Sequence, residues 1–240
     1  MSRIAVVSDI HGNLPALKAV VADAEARGCT RFLNLGDLLS GPLWPAETAD
    51  FLMARDWQTI VGNHERQLLQ LPLARMNASD AFTRPLLSDA HLGWMTALPA
   101  TLALDGLFLC HGTPASDVEH FLETVEPAGL RRASEAEVAQ RLGDRSERLT
   151  LCGHSHIPGV QRLADGRSVA NPGSAGLQAF HDDQPWPYAV EVGDPNARYA
   201  IVDGAELVFH EVPYDHASAA AKAEREGRAD WATALATGKV

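Results

Sequence analysis

Short apolar runs alternate, in the first half of the chain, with segments whose apolar positions recur at helical spacing. RIAVVS at Arg3 to Ser8 is rich in β-branched residues and predicts a strand; LPALKAVVADAEARG, after Asp-Ile-His-Gly-Asn, is amphipathic and predicts a helix ended by Gly28. RFLNLG predicts a second strand, and PAETADFLMARD a helix with Pro45 in its first turn. WQTIVG predicts a third strand and HERQLLQL another helix. Strands and helices in alternation imply a parallel sheet that presents ligands beyond the carboxyl ends of its strands.

The second half changes style. TLALDGLFLCHG reads as two strands around Asp105-Gly106, and RLTLCG, QRLADGRSVANPGS and RYAIVDGAELVFHEV follow a helical stretch at ASEAEVAQRLG, with turns at Asp165-Gly166 and Asp203-Gly204. These strands predict a mixed second sheet packed on the first, with helices outside. FHDDQPWPY reads as an ordered surface loop, and the Ala-rich segment from about residue 215 as a helical tail.

The 240 residues suit one α/β domain spanning 1–240. No run approaches the ~18 consecutive apolar residues of a membrane span, and the N-terminus lacks an export signal. The three cysteines show no CxxC spacing, which argues against a disulfide framework or zinc ribbon; a reducing cytoplasm is the expected location. Cys110 and Cys152, in apolar strand ends, read as core filler. A formal charge of −11 opposes long nucleic acids and anionic membranes, although bound cations would neutralise carboxylates locally; a small substrate is expected.

Candidate chemistry lies at the strand ends. Asp9 and His11 follow the first strand, Asp37 the second, Asn63 and His64 the third, His111 the run FLC, and His154 and His156 the run LTLC. Any one would read as a turn or cap residue, and the histidine pair alone as edge-strand decoration. In a parallel sheet the ends share one edge, so the set meets. It exceeds the roughly four ligands of one zinc and holds no thiolate, which favours two adjacent hard-to-borderline ions. Asp37 is the expected bridge, with His154 and His156 each serving a different ion.

DIH at Asp9, GD at Gly36, GNHE at Gly62, HG at His111 and GHSH at Gly153 resemble, in order and rough spacing, the calcineurin-like metallophosphoesterase superfamily. NPGSAG from Asn171 resembles its small bacterial and archaeal phosphodiesterase branch. The resemblance implies a four-layer αββα sandwich of two mixed sheets flanked by helices. It implies one ion on Asp9, His11, Asp37 and His156, a second on Asp37, Asn63, His111 and His154, a hydroxide between them, and His64 as general acid. Two divalent ions are implied, manganese first, with iron, zinc, cobalt or nickel as alternatives.

GDLLSGP lacks the arginine that protein phosphatases carry after GD, which favours a small phosphodiester over a phosphomonoester or a serine/threonine phosphoprotein. A non-catalytic interaction scaffold is the alternative of another class, disfavoured because His64 is present. Glu65 reads as a first-turn helix acid ahead of an orienting partner for His64, and Arg66 as a solvated helix residue. Trp44 suits a substrate wall or loop packing equally. Among the unmatched histidines (His91, His120, His181, His210 and His216), His120 is the one candidate for the cleft.

Overall fold

The computed structural model describes residues 3–240. In chain order come β1 (Arg3–Val7), α1 (Leu14–Ala26), β2 (Cys29–Asn34), α2 (Pro45–Met53), β3 (Gln58–Thr59), α3 (Asn63–Gln70), α4 (Ala78–Thr83) and α5 (Asp89–Ala97). Then follow β4 (Leu102–Leu104), β5 (Leu107–Leu109), β6 (Glu123–Glu126), β7 (Gly129–Arg132), α6 (Glu135–Leu142), β8 (Leu149–Leu151), β9 (Gly159–Arg162) and β10 (Ser168–Asn171). β11 (Ala179–Asp182), β12 (Tyr188–Glu191), β13 (Ala197–Asp203), β14 (Glu206–Val212), α7 (His216–Arg225) and α8 (Ala229–Thr237) complete the chain.

Two five-stranded mixed sheets stack face to face, in the orders β14-β13-β1-β2-β3 and β4-β5-β8-β10-β9. Side-chain alternation separates the layers. Ile4 and Val6 of β1 meet Leu107, Leu109, Leu149 and Leu151 between the sheets. Ala5 and Val7 point the other way, to Leu17, Val20 and Leu52 of the first helical layer. Phe108, Cys110, Cys152 and Val169 face Val138 and Leu142 of α6. The result is the αββα sandwich, with both strand-end cysteines in its core.

Two expectations are corrected. The β13–β14 hairpin, expected in the second sheet, extends the first, where Ile201 pairs antiparallel with Ala5. From Ala197 to Val202 every residue of β13 is buried, as a strand flanked and covered on both sides requires. The segment expected as a loop around Trp186 forms the β11–β12 hairpin, with Trp186 exposed beyond the paired residues.

α7 and α8 pack with β11 and Leu43 in a fourth apolar cluster centred on Trp231, and Trp44 packs against it. Trp44 thus lines a minor surface pocket with Lys222 rather than the main cavity. No helix among the described residues is long and apolar enough to cross a membrane.

These clusters hold the layers without help from the polar strand ends. Chelator-treated protein is therefore expected to melt cooperatively, and divalent cation at 100 times its Kd to add about 2.7 kcal/mol of stability. Thermal melts followed by circular dichroism check this; a chelated protein without a transition would contradict it.

Candidate metal centre

The strand ends meet as the alternation of elements requires, and the loops that carry them are strained. Among the described residues, six that are not glycine have positive φ: Asp9, His11, Asp37, His154, His156 and Asp105. Asp105 sits in a hairpin turn; the other five are sequence-predicted ligands. Such a conformation costs of order 1–3 kcal/mol per residue and persists where surrounding bonds over-determine it. Those bonds are present. Asp9, His11 and Gly12 donate N–H to Gly36, Asp37 and Leu38 carbonyls at 3.0 Å, zipping the β1 loop onto the β2 loop. The NPGSAG segment ties in the third: Ala175 and Gly176 donate to the Ser8 and Asp9 carbonyls, while Asn171 Nδ2 donates to the Gly153 carbonyl at 2.7 Å. Gly62 and Gly153 admit this packing, since a Cβ at either would strike Asp37 or Ser8.

Three groups bring potential ligand atoms within 4.8 Å of one another: Asp9, His11 and His156; Asp37, His111 and His154; and His11, Asp37 and His64. Asn63 joins the second through its Oδ1, 3.1 Å from His111 Nε2. All eight predicted residues therefore converge. Asp37 stands between the first two groups, its Oδ2 3.1 Å from His111 Nε2 and 4.0 Å from both His11 Nε2 and His64 Nε2. Its Oδ1 accepts the His64 backbone N–H at 3.0 Å, at the positive end of α3.

The donor set fits cations. His11, His111 and His156 each put Nδ1 on a backbone carbonyl, of Ser40, Leu35 and Leu177 respectively, at 2.7–2.8 Å. A carbonyl only accepts, so each Nδ1 carries a proton and each ring turns its Nε2 inward. His11 and His156 Nε2 then face each other at 3.1 Å, and Asp9 Oδ2 is buried without a partner. Converging lone pairs and carboxylates repel unless positive charge lies among them.

Within the chain's own charges a proton supplies part of it. Burial disfavours the imidazolium of His111, but Asp37 and Asp9 override this and raise the ring to about 10. Burial together with the charge of neighbouring histidines depresses His11 to about 3 and His154 to about 4. Asp9 lies at about 2: burial opposes its charge, and His156 and His111 outweigh the burial.

His64 is held differently. Its Nδ1 lies 2.7 Å from Asp80 Oδ1, on a carboxylate that also accepts from Ser40 Oγ and Asn77 Nδ2. Burial works against its charge, yet Asp37 and Asp80 raise it to about 9. Glu65 does not orient it. Its carboxylate accepts the N–H groups of Gly62, Asp37 and Leu38, clamping the Asp37 loop to the start of α3, and burial beside Asp37 raises it to about 7. Arg66 pairs with Asp117.

A cavity of about 1280 Å³ opens over the centre. His120 lines it, stacked on His154 at 4.8 Å and joined through Nε2 to the Tyr188 hydroxyl at 2.8 Å. Trp231 of α8 stands edge-on to His11 at 5.9 Å. Sequence reading missed Asp80 and Trp231. Asp80 carries only the signature of a first-turn acid after the Asn77 cap, and Trp231 that of an apolar helix position.

The fold and the convergent strand-end residues match the metallophosphoesterase class. The sequence model of the calcineurin-like phosphoesterase superfamily domain matches residues 2–192, and the chain belongs to that family. A metallophosphoesterase from Sphaerobacter thermophilus superposes with a TM-score of 0.76 at 26% identity, over 99% of both chains. A hypothetical protein from Pyrococcus horikoshii OT3 superposes with a TM-score of 0.78 at 19% identity, also over 99% of both. An uncharacterized protein of Methanocaldococcus jannaschii is 33% identical over 103 residues, 41% of this chain and 42% of that relative.

A divalent ion entering the Asp37–His111–His154 group must displace the His111 proton, because a ring protonated up to about 10 has no Nε2 lone pair to offer. Loading at neutral pH is expected to release that proton, and affinity to rise with pH toward that value. Calorimetry in buffers of differing ionisation enthalpy counts the protons. Tight binding with none released would contradict the assignment.

Proposed function

We propose that the protein is a binuclear metal-dependent hydrolase of a small phosphodiester. Asp9, His11, Asp37 and His156 would hold one divalent cation and Asp37, Asn63, His111 and His154 the other, with Asp37 shared. Manganese is the first choice, and iron, zinc, cobalt or nickel suit the same oxygen and imidazole donors. Two cations so held would lower the pKa of a water to the neutral range and would neutralise phosphate charge in the transition state.

The chain's own residues supply the rest. Asp80 fixes the His64 ring through Nδ1 and leaves Nε2 turned toward the centre. A ring raised to about 9 is protonated at neutral pH, so it can give that proton to the departing oxygen. Glu65 holds the shared carboxylate's loop in register.

The observation that carries the diester reading is the state of the arginines lining the cavity. Arg141 donates to the Phe121 and Glu123 carbonyls and to Thr124 Oγ1. Arg228 forks onto Asp230 and donates to Ser79 Oγ. Neither is a free guanidinium for a dianionic monoester. In the GDLLSGP loop, Gly41 lies so close to Trp231 that a Cβ would meet the indole at 2.6 Å, leaving no room for a phosphate-gripping side chain.

The test strips the protein, restores manganese and compares bis(p-nitrophenyl) phosphate with p-nitrophenyl phosphate. The diester is expected to show kcat/KM at least about tenfold higher. Equal rates or a monoester preference would contradict the reading.

His64→Ala is expected to lower kcat by about 10²–10⁴-fold on a diester that releases an alkyl alcohol, and far less on one that releases nitrophenolate. Asp80→Asn is expected to follow the same order with a smaller loss. Metal analysis of both variants, showing wild-type content, separates this role from ligation. Equal losses on both substrates would remove the general-acid assignment.

A further inference from the structure

The cavity has two unlike halves. Beside His156 and His154 its walls combine aromatic rings with charged groups: Phe180 lies edge-on to His156 at 4.7 Å and His120 stacks on His154, next to Glu119, Glu123 and Arg141. Beside His64 they bear hydrogen-bonding groups, on Gln67, Asn77, Ser79, Arg228, Asp230 and Thr233, next to the ring of Trp231. A chain of contacts fixes these around the ring. Asn77 Nδ2 donates to Asp80 Oδ2 at 2.8 Å and to Gln67 Oε1 at 3.3 Å, and Arg228 Nη1 donates to Ser79 Oγ at 3.0 Å. Arg228 and Asp230 come from the start of the α8 segment, beyond the span that matches the family.

A general acid acts where the bond breaks, so the departing alcohol occupies the half that His64 faces. What that half offers is specific in kind. Arg228 bonds Asp230 through Nε and Nη2 at 2.9 and 2.6 Å, so the charges match and the pair does not select an anion. One N–H on each terminal nitrogen stays unassigned, and the Asp230 side chain is 62% exposed with lone pairs to spare. The Gln67 amide nitrogen is likewise free to donate. Adjacent donors and acceptors without net charge fit a neutral group with several hydroxyls. An alkyl group in their place would strip them of water and return nothing.

We infer that the leaving group of the phosphodiester is a polyol or sugar hydroxyl, read by the Arg228–Asp230 pair and Gln67. The inference rests on the hydrolysis proposed above. In the step, the oxygen of water bonds to phosphorus and the P–O bond to the polyol breaks. The bonding pair goes to the polyol oxygen, which takes the His64 proton, and the proton lost by water restores His64. The products are a phosphomonoester and the free polyol.

The test is an internal competition in manganese-loaded full-length protein. Glyceryl propyl phosphate can release glycerol, leaving propyl phosphate, or propanol, leaving glyceryl phosphate. Phosphorus NMR after a chelator quench reads the ratio. Glycerol release is expected to dominate by at least about tenfold in the wild type. Glycerol is the better leaving group intrinsically, so the shift on substitution decides. Arg228→Leu and Gln67→Leu are each expected to cut the ratio several-fold, and Arg228→Lys to restore part of it. A merely structural role for Arg228 would lower both products together and leave the ratio alone. A wild-type ratio near one, or a ratio unmoved in both leucine variants, overturns the inference while diester hydrolysis stands. Formation of neither product overturns the phosphodiesterase reading itself, and the inference with it.

Discussion

The centre is organised by mutual repulsion. Two aspartates and three imidazoles with Nε2 turned inward meet where water is nearly excluded, and each imidazole is prevented from turning away by a carbonyl on its other nitrogen. In a low-dielectric site such an arrangement is unfavourable by itself and becomes favourable once positive charge enters. A proton on His111 meets part of that need. Metal cations held by these donors would meet it fully, as the metal dependence of the phosphoesterase family leads one to expect.

Holding those groups together requires a scaffold that tolerates strain. Each of the five strained Asp and His residues of the centre follows a strand end, and its loop is bonded to a neighbouring loop rather than to solvent. Glu65 and the NPGSAG segment close this ring of loops, one clamping Asp37 and the other tying Asp9 to Gly153. The layers behind supply the stability that the strained ends consume. Over this centre the cavity wall is built in part by α4, the β11–β12 hairpin and α8.

What the sequence reveals, and what it hides, follows the range of the interactions. The convergence of the eight polar side chains is legible because each stands directly behind an apolar run, and a sheet brings such ends to one edge. The place of β13 is not: its turn at Asp203-Gly204 marks a hairpin, but which sheet it joins depends on pairing with β1 across almost the whole chain. Asp80 stays hidden because it reaches His64 across 16 residues from a short helix whose local pattern is explained by its cap. Trp231 is similarly silent, since an apolar position on an Ala-rich helix reads as packing until the helix is seen beside His11. Glu65 was half legible: its place in the first turn is local, whereas its bonds to the Asp37 loop are tertiary.

The central claim is that one strained ring of loops makes two cation sites with a shared carboxylate. Native mass spectrometry of the manganese-loaded protein tests it most directly, because it counts ions on each folded chain. Two ions per chain are expected in the wild type, at most a weakly held one in Asp37→Asn, and one in each of His154→Ala and His156→Ala. A wild-type chain that saturates at a single ion, or an Asp37→Asn variant that still carries two, would contradict the account.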